Sequence, residues 1–271
     1  MASAAVAARL RNAGRSVTPA EKRRLIRIAN DLSADEIAGS ALARNTFILL
    51  QQVIERGGLS LTATGNLSRA VVAEMCKLIE WPGYDQTDAF RLHKVINEPD
   101  FLPLHIVRLL AEAAQLVRTQ RGRLGVTPLG KSMLSEARQG SLQAILFHLA
   151  FWHMDLGYFG RGLLGSWPQA EIGIVLWSLS VSADDWQASE KLTRLCTIPE
   201  PDILSVTWDR SAYAMEARIL RPLLLFGLLE YRSEKIGNSR FEARHYYRKA
   251  ALFDRLLAFD IKMDFAKGSG H

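Results

Sequence analysis

Ten basic side chains fall into two sets whose spacing suits contact with phosphate. Arg118, Arg121, Arg123 and Lys131 form the first set, with Arg108 just upstream. Arg218, Arg221, Lys235, Arg240 and Arg244 form the second. Guanidinium and ammonium groups donate hydrogen bonds to phosphate oxygens, and an arginine on a helix can also read the edge of a guanine. That second role falls to Arg108, because His105, Arg108, Glu112 and Gln115 recur at helical spacing and share one face. The same residues have a plainer reading. Positive charge on a hairpin edge discourages strand pairing between molecules, and Leu104, Ile106, Val107, Leu109 and Leu110 are apolar enough to bury the Arg108 helix on most sides. Around the second set, His245, Tyr246, Tyr247, Arg248 and Lys249 bring aromatic and basic groups together.

Catalytic and metal chemistry has less support. His148, His153 and Asp155 hold the atoms of a metal site, but a five-residue spacing does not align two imidazoles on one helix face as four does. There is no glycine-rich loop with a lysine, no Gly-x-Ser-x-Gly and no Cys–His motif. Asp184-Asp185 suits a helix cap, and the aromatic residues from Phe147 to Trp186 suit a packed core better than a ligand cavity. Cys76 and Cys196 belong to no metal or redox motif, which favours two buried thiols in a reducing compartment over a disulfide. The expectation is a non-enzymatic protein with no cofactor and no metal.

Two short strings position the basic residues. Gly57-Gly58-Leu59-Ser60-Leu61-Thr62-Ala63-Thr64-Gly65 and Gly122-Arg123-Leu124-Gly125-Val126-Thr127-Pro128-Leu129-Gly130 both read Gly-x-Leu-x-(Leu/Val)-Thr-x-x-Gly. Alternating apolar residues make a short strand, and the threonine can cap a following helix. Pro128 suits the first helical position, and the final glycine leaves room where helix and strand lie close. Upstream, Thr18-Pro19-Ala20-Glu21 starts a helix expected to run to about residue 31, and a second is expected over 33–56, ended by Gly57-Gly58. Helical periods follow over 67–79, 86–96 and 103–115, then strand, tight turn and strand over 116–127. Residues 141–196 read as three aromatic-rich helices and 198–202 as a linker. The last segment repeats the order more loosely, with a helix over 212–226, strands over 228–232 and 241–247, and a closing helix over 250–259.

The net charge of +6 is unevenly spread: residues 1–58 carry +4, 59–140 carry +2, 141–204 carry −4 and 205–271 carry +4. Basic ends around an acidic middle suit a polyanion held at the ends. The most apolar stretch, 142–164, contains His148, His153, Asp155 and Arg161 and lacks a clean run of about 20 apolar residues, so no membrane span is expected. At the N-terminus, small apolar residues precede Arg9, Arg11 and Arg15, the reverse of a secretory signal, and a cytoplasmic location is expected.

Leu61-Thr62-Ala63-Thr64-Gly65-Asn66-Leu67, the stretch 105–134, and Arg221-Pro222-Leu223 through Phe226-Gly227-Leu228-Leu229 resemble an uncharacterised region of bacterial proteins similar to a plasmid-borne open-reading-frame-three product. The likeness spans about residues 44–259. Val126-Thr127-Pro128-Leu129-Gly130 also resembles the segment after the wing in winged-helix transcriptional regulators. The fold expected is mainly α, multi-helical, with two or three winged-helix-like units carrying short β-hairpins. Its segments are a helical 1–57, winged-helix-like units over 58–140, an aromatic helical core over 141–204, and a C-terminal winged-helix-like unit over 205–271. Double-stranded DNA held by the basic wings is the leading expectation for function. The alternative is a protein-interaction scaffold, with itself or another protein as partner. DNA binding requires Arg118, Arg121 and Arg123 on the same exposed face as Arg218 and Arg221. A scaffold requires those faces covered, or the arginines paired with the acidic 141–204 segment.

Overall fold

The computed structural model describes residues 26–84, 96–158, 165–199, 208–236 and 243–260. Its first half runs β1 (Ile26–Ile28), α1 (Ala34–Ile37), α2 (Ala41–Glu55), β2 (Leu59–Ser60), α3 (Arg69–Leu78), α4 (Leu102–Ala113), β3 (Val117–Gln120), β4 (Arg123–Val126) and α5 (Pro128–Ser132). The second half runs α6 (Gln139–His153), α7 (Ile172–Ser182), β5 (Gln187–Ala188), α8 (Ser189–Cys196) and α9 (Trp208–Met215). A π-helical turn (Glu216–Leu220) then leads into α10 (Arg221–Leu225), β6 (Leu229–Lys235), β7 (Ala243–Lys249), α11 (Ala251–Leu256) and β8 (Leu257–Phe259). The protein is mainly α with small antiparallel sheets, and none of its described helices is long and apolar enough to cross a membrane.

Two of the sheets share one plan. Strands lie in the order β2-β4-β3 in one and β5-β7-β6 in the other. In each, a two-residue strand that precedes the helices pairs antiparallel with the return strand of a hairpin. The β3–β4 hairpin closes through Arg121 (φ 50°) and Gly122 (φ 70°), the pair of left-handed residues that a two-residue turn between twisted strands requires.

The repeated string forms two different structures. Thr127 does cap α5, its Oγ1 accepting from the Gly130 amide at 3.0 Å and donating to the Gln115 carbonyl at 2.7 Å. A side chain at Gly130 would collide with the Leu116 carbonyl. Thr62 instead closes a tight loop with Asn66: its amide donates to the Asn66 carbonyl at 2.7 Å, and the Gly65 amide donates to the Thr62 carbonyl at 2.9 Å. Gly65 has open space around it but a φ of 83°, so it serves backbone conformation where Gly130 serves proximity. The Thr62 string lacks a proline to set the first helical φ, and the helix begins only at Arg69.

Three other expectations change. Residues 26–28 are strand rather than the end of a helix, because Ile26 and Ile28 alternate about an exposed Arg27 and β8 supplies the pairing partner. The helix expected over 33–56 breaks at Gly39–Ser40, where Ser40 caps α2 by accepting from the Ala43 amide. The closing helix ends at Leu256 and continues as β8. Residues 18–25 of the helix expected to run to about residue 31, and 86–95 of the one expected over 86–96, lie outside the described residues.

The main buried cluster runs from Leu32 to Leu257 and draws on all four segments. At its centre the fully buried Gln143 amide accepts from Ser40 Oγ at 2.8 Å and donates to the Phe226 carbonyl at 2.9 Å. Cys76 and Cys196 are free and buried in this core. Burial pushes the Cys76 thiol up to about 11 and that of Cys196 up to about 12. Both thiols will therefore resist an aromatic disulfide reagent in the native protein at neutral pH and react after unfolding. Because both folded values are raised, their contribution to stability is intact below the ordinary thiol value of about 8.5 and is lost as pH rises through the folded values. A urea midpoint that declines on the alkaline side, and declines less in Cys76→Ser/Cys196→Ser, checks the sign.

Candidate functional site on the two hairpin units

In the first unit, the polar stripe of α4 points inward. The fully buried carboxylate of Glu98 accepts from the Leu67 amide at 2.5 Å, meets His105 Nδ1 at 2.9 Å and pairs with Arg108 Nε at 2.8 Å. Arg108 also donates to the Gly65 carbonyl at 2.9 Å and lies 3.5 Å from Glu112. Asn97 and Asp100 cap the short 3-10 turn that delivers Glu98. The three side chains thus clamp the Thr62–Asn66 loop onto α4, and Arg108 and His105 are buried. Arg108 cannot present its guanidinium to a guanine from this position.

The remaining basic residues of the first unit divide in two. Arg123 turns back on the end of α2, donating to the Gly58 carbonyl at 2.5 Å and the Arg56 carbonyl at 3.3 Å. Arg118, Arg121 and Lys131 are exposed and make no ion pair among the described residues. A cleft of about 590 Å³ opens beside them, lined by Glu112, Gln115, Arg118, Thr119, Thr127 and Leu129.

The second unit buries charge in the same place. Its π-helical turn directs both Glu216 and Arg218 inward, at 6% and 2% exposure. Arg218 donates to Asp155 at 3.0 Å and to the Gly165 carbonyl, and a side chain at Gly157 would collide with its guanidinium. Glu216 meets His245 Nδ1 at 2.8 Å and accepts from Arg221 at 3.2 Å, which fastens β7 to the helix. Burial raises the Tyr247 hydroxyl well above its ordinary value, with the Glu216 charge beside it adding to the rise. On the other face of the hairpin, the guanidiniums of Arg232 and Arg248 each lie 4.8 Å from the Trp186 ring centre. Of the residues expected to bind nucleic acid here, Lys235 is exposed, Arg244 stands 4.0 Å from Glu190, Arg221 is half-exposed, Arg218 is buried, and Arg240 lies outside the described residues.

The structure does not bring the nine described basic residues onto one face. It gathers three on the first hairpin unit and turns others into internal braces. Sequence reasoning missed Glu98 and Glu216, which organise both clusters. Glu98 lies in an Asn-Glu-Pro-Asp stretch that reads as a turn, while the signal for Glu216 was a lone carboxylate flanked by Met215 and Ala217 in a helical segment. Among the described residues no group of three or more His, Cys, Asp or Glu could hold a metal. His148 and His153 nevertheless face each other at 3.1 Å, against the expectation from their spacing.

Residues 38–139, which hold α2 to α5, match the family model described as the Y4jL N-terminal domain. The uncharacterised protein y4jL of Sinorhizobium fredii (strain NBRC 101917 / NGR234) is 32% identical over 206 residues, covering 69% of this chain and 86% of that protein. No solved structure matches.

The geometry separates structural from surface cations. Glu98→Ala removes the fully buried carboxylate that neutralises Arg108 and lowers unfolding free energy by about 3–5 kcal/mol. Arg118→Ala and Arg121→Ala, at exposed positions, stay within about 0.5 kcal/mol of the parent. Urea unfolding of the three variants measures the contrast, and equal effects would contradict it.

Proposed function

The chain belongs to the y4jL family, and from that premise we propose that it is a non-enzymatic interaction scaffold built from two winged-helix-like units. The matching strand orders β2-β4-β3 and β5-β7-β6, each with a helix before the hairpin, support the winged-helix-like description. The observation that carries the scaffold reading is the burial of both third helices. In a DNA-reading winged helix this element enters the major groove. Here α4 turns Arg108 and His105 onto Glu98, and the α9–α10 rod turns Arg218 onto Asp155 of the acidic segment. Winged helices with covered third helices retain their hairpins and outer faces for other proteins.

The partner supported best is a second copy of the chain. The 141–204 segment carries −4, while the segments on either side carry +2 and +4. Within the acidic segment, Ile174 and Val181 are seven residues apart on one face of α7 and are 43% and 61% exposed. A segment of net negative charge that exposes apolar side chains is complementary in sign to the hairpin surface bearing Arg118, Arg121 and Lys131. Sedimentation velocity over a concentration series will show reversible self-association that weakens with salt. Val181→Glu will shift the protein toward monomer without changing its melting temperature. A monomer at every concentration would refute the reading.

A second reading keeps DNA as the partner, favoured by the exposure of Arg118, Arg121 and Lys131. With three phosphates neutralised, affinity for duplex DNA falls about 40-fold between about 50 and 200 mM salt. Fluorescence anisotropy with a mixed duplex pool measures it. Binding with that salt dependence, lost in Arg118→Ala/Arg121→Ala, would replace the scaffold with a DNA-binding protein held by its wing.

A further inference from the structure

The end of α6 holds a geometry that regular helical spacing does not provide. Positions five apart lie roughly 140° apart around a helix axis. Yet the Nε2 atoms of His148 and His153 stand 3.1 Å apart, with ring centres at 4.9 Å and planes at 64°. The last turn accounts for this. The Met154 amide donates to the Leu149 carbonyl, five residues back, at 3.0 Å, so the turn is widened and brings His153 beside His148. Trp152 stacks on the His148 ring at 5.4 Å and 22°, and leans edge-on against buried Phe147 at 6.0 Å. Those two contacts hold the His148 ring in the orientation that aims Nε2 at its neighbour.

We propose that His148 and His153 chelate a divalent first-row transition cation, Zn²⁺, Ni²⁺ or Cu²⁺, through their Nε2 atoms, with water completing the coordination. At metal–nitrogen distances of about 2.0–2.1 Å, two ligands to one ion lie about 2.9 Å apart at a right angle and about 3.4 Å apart at the tetrahedral angle. The observed 3.1 Å falls between these values. An all-imidazole set suits these ions and not Mg²⁺ or Ca²⁺, which prefer oxygen. Among the described residues no third His, Cys, Asp or Glu joins the pair, and both histidines are exposed, so water has access to the remaining positions. In the metal-free protein the two nitrogens share one hydrogen bond, one ring donating its Nε2–H to the other; to ligate through Nε2 the donating ring carries its proton on Nδ1 instead, and the ion occupies the space between the two nitrogens. Both rings must be unprotonated to bind, so affinity falls as the solution is acidified. The ion would lock the widened turn that leads to Asp155, the partner of buried Arg218.

The test uses the full chain and metal salts alone. Calorimetric titration with NiCl2 or ZnCl2 near neutral pH is expected to show saturable binding of one ion per chain. CuCl2 is expected to bind more tightly and to quench tryptophan emission through Trp152. Added Ni²⁺ raises the melting temperature of the parent protein. His148→Ala and His153→Gln each abolish binding, quenching and the thermal shift, while their metal-free melting temperatures match the parent. Absence of saturable binding in the parent, or binding that persists in the double variant through other histidines, would overturn the proposal.

Discussion

The buried amide of Gln143 sets the relation between the two halves of the molecule. Its oxygen accepts from Ser40, which caps α2 of the first unit, and its nitrogen donates to Phe226 at the end of α10 in the second. A buried amide left without partners is costly, so the arrangement is satisfied only when both units dock on α6 in one way. The packing agrees with it. A side chain at Gly227 would approach the Gly39 backbone to 2.9 Å, and one at Gly140 would collide with the backbone of Leu32. Hydrophobic burial pulls the segments together without direction, and these hydrogen bonds and close approaches select the register.

Around that junction each unit braces its long helix with a buried glutamate. Glu98 gathers an amide, an imidazole and a guanidinium, and Glu216 gathers an imidazole and a guanidinium. Ion pairs of this kind add little net stability over apolar packing of the same volume, but removing one member leaves a buried charge behind. Their effect is to make the helix faces internal. The residues that a DNA-reading helix would expose are instead committed to holding loops and strands in place.

The distribution of cations follows the same logic. Lys249, only 9% exposed at its side chain, bridges Asp184 and Asp254; burial alone would lower its pKa, and these two carboxylates instead hold it above the ordinary value. Arg255 ties α11 to Asp31 and Glu36, and thereby closes the β1–β8 pairing between distant parts of the chain. A net charge of +6 therefore overstates what a polyanion would meet, because much of the positive charge already faces carboxylates within the molecule.

Local order was legible in the amino-acid sequence wherever neighbouring residues decide it. Thr127-Pro128 with Gly130 specifies a capped helix, Arg121-Gly122 between alternating apolar residues specifies a tight hairpin, and the apolar period of 103–115 specifies α4. These depend on backbone preferences and short-range hydrogen bonds that act within a few residues. The tertiary structure alone decided which polar groups face water. Arg108 and Arg218 look like Arg118 in sequence, yet they are buried because Glu98 and Asp155 arrive from separate elements to neutralise them. Thr62 repeats the string of Thr127 and closes a loop instead, since the Glu98 cluster grips its far side through Leu67 and Gly65. His148 and His153 meet at the final turn of α6, where the Met154 amide bonds back five residues to the Leu149 carbonyl. Residues 26–28 form a strand only because β8 lies alongside. In each case the deciding partner lies beyond the reach of local sequence, and the free energy of satisfying a buried charge or a strand edge outweighs the preference of the segment itself.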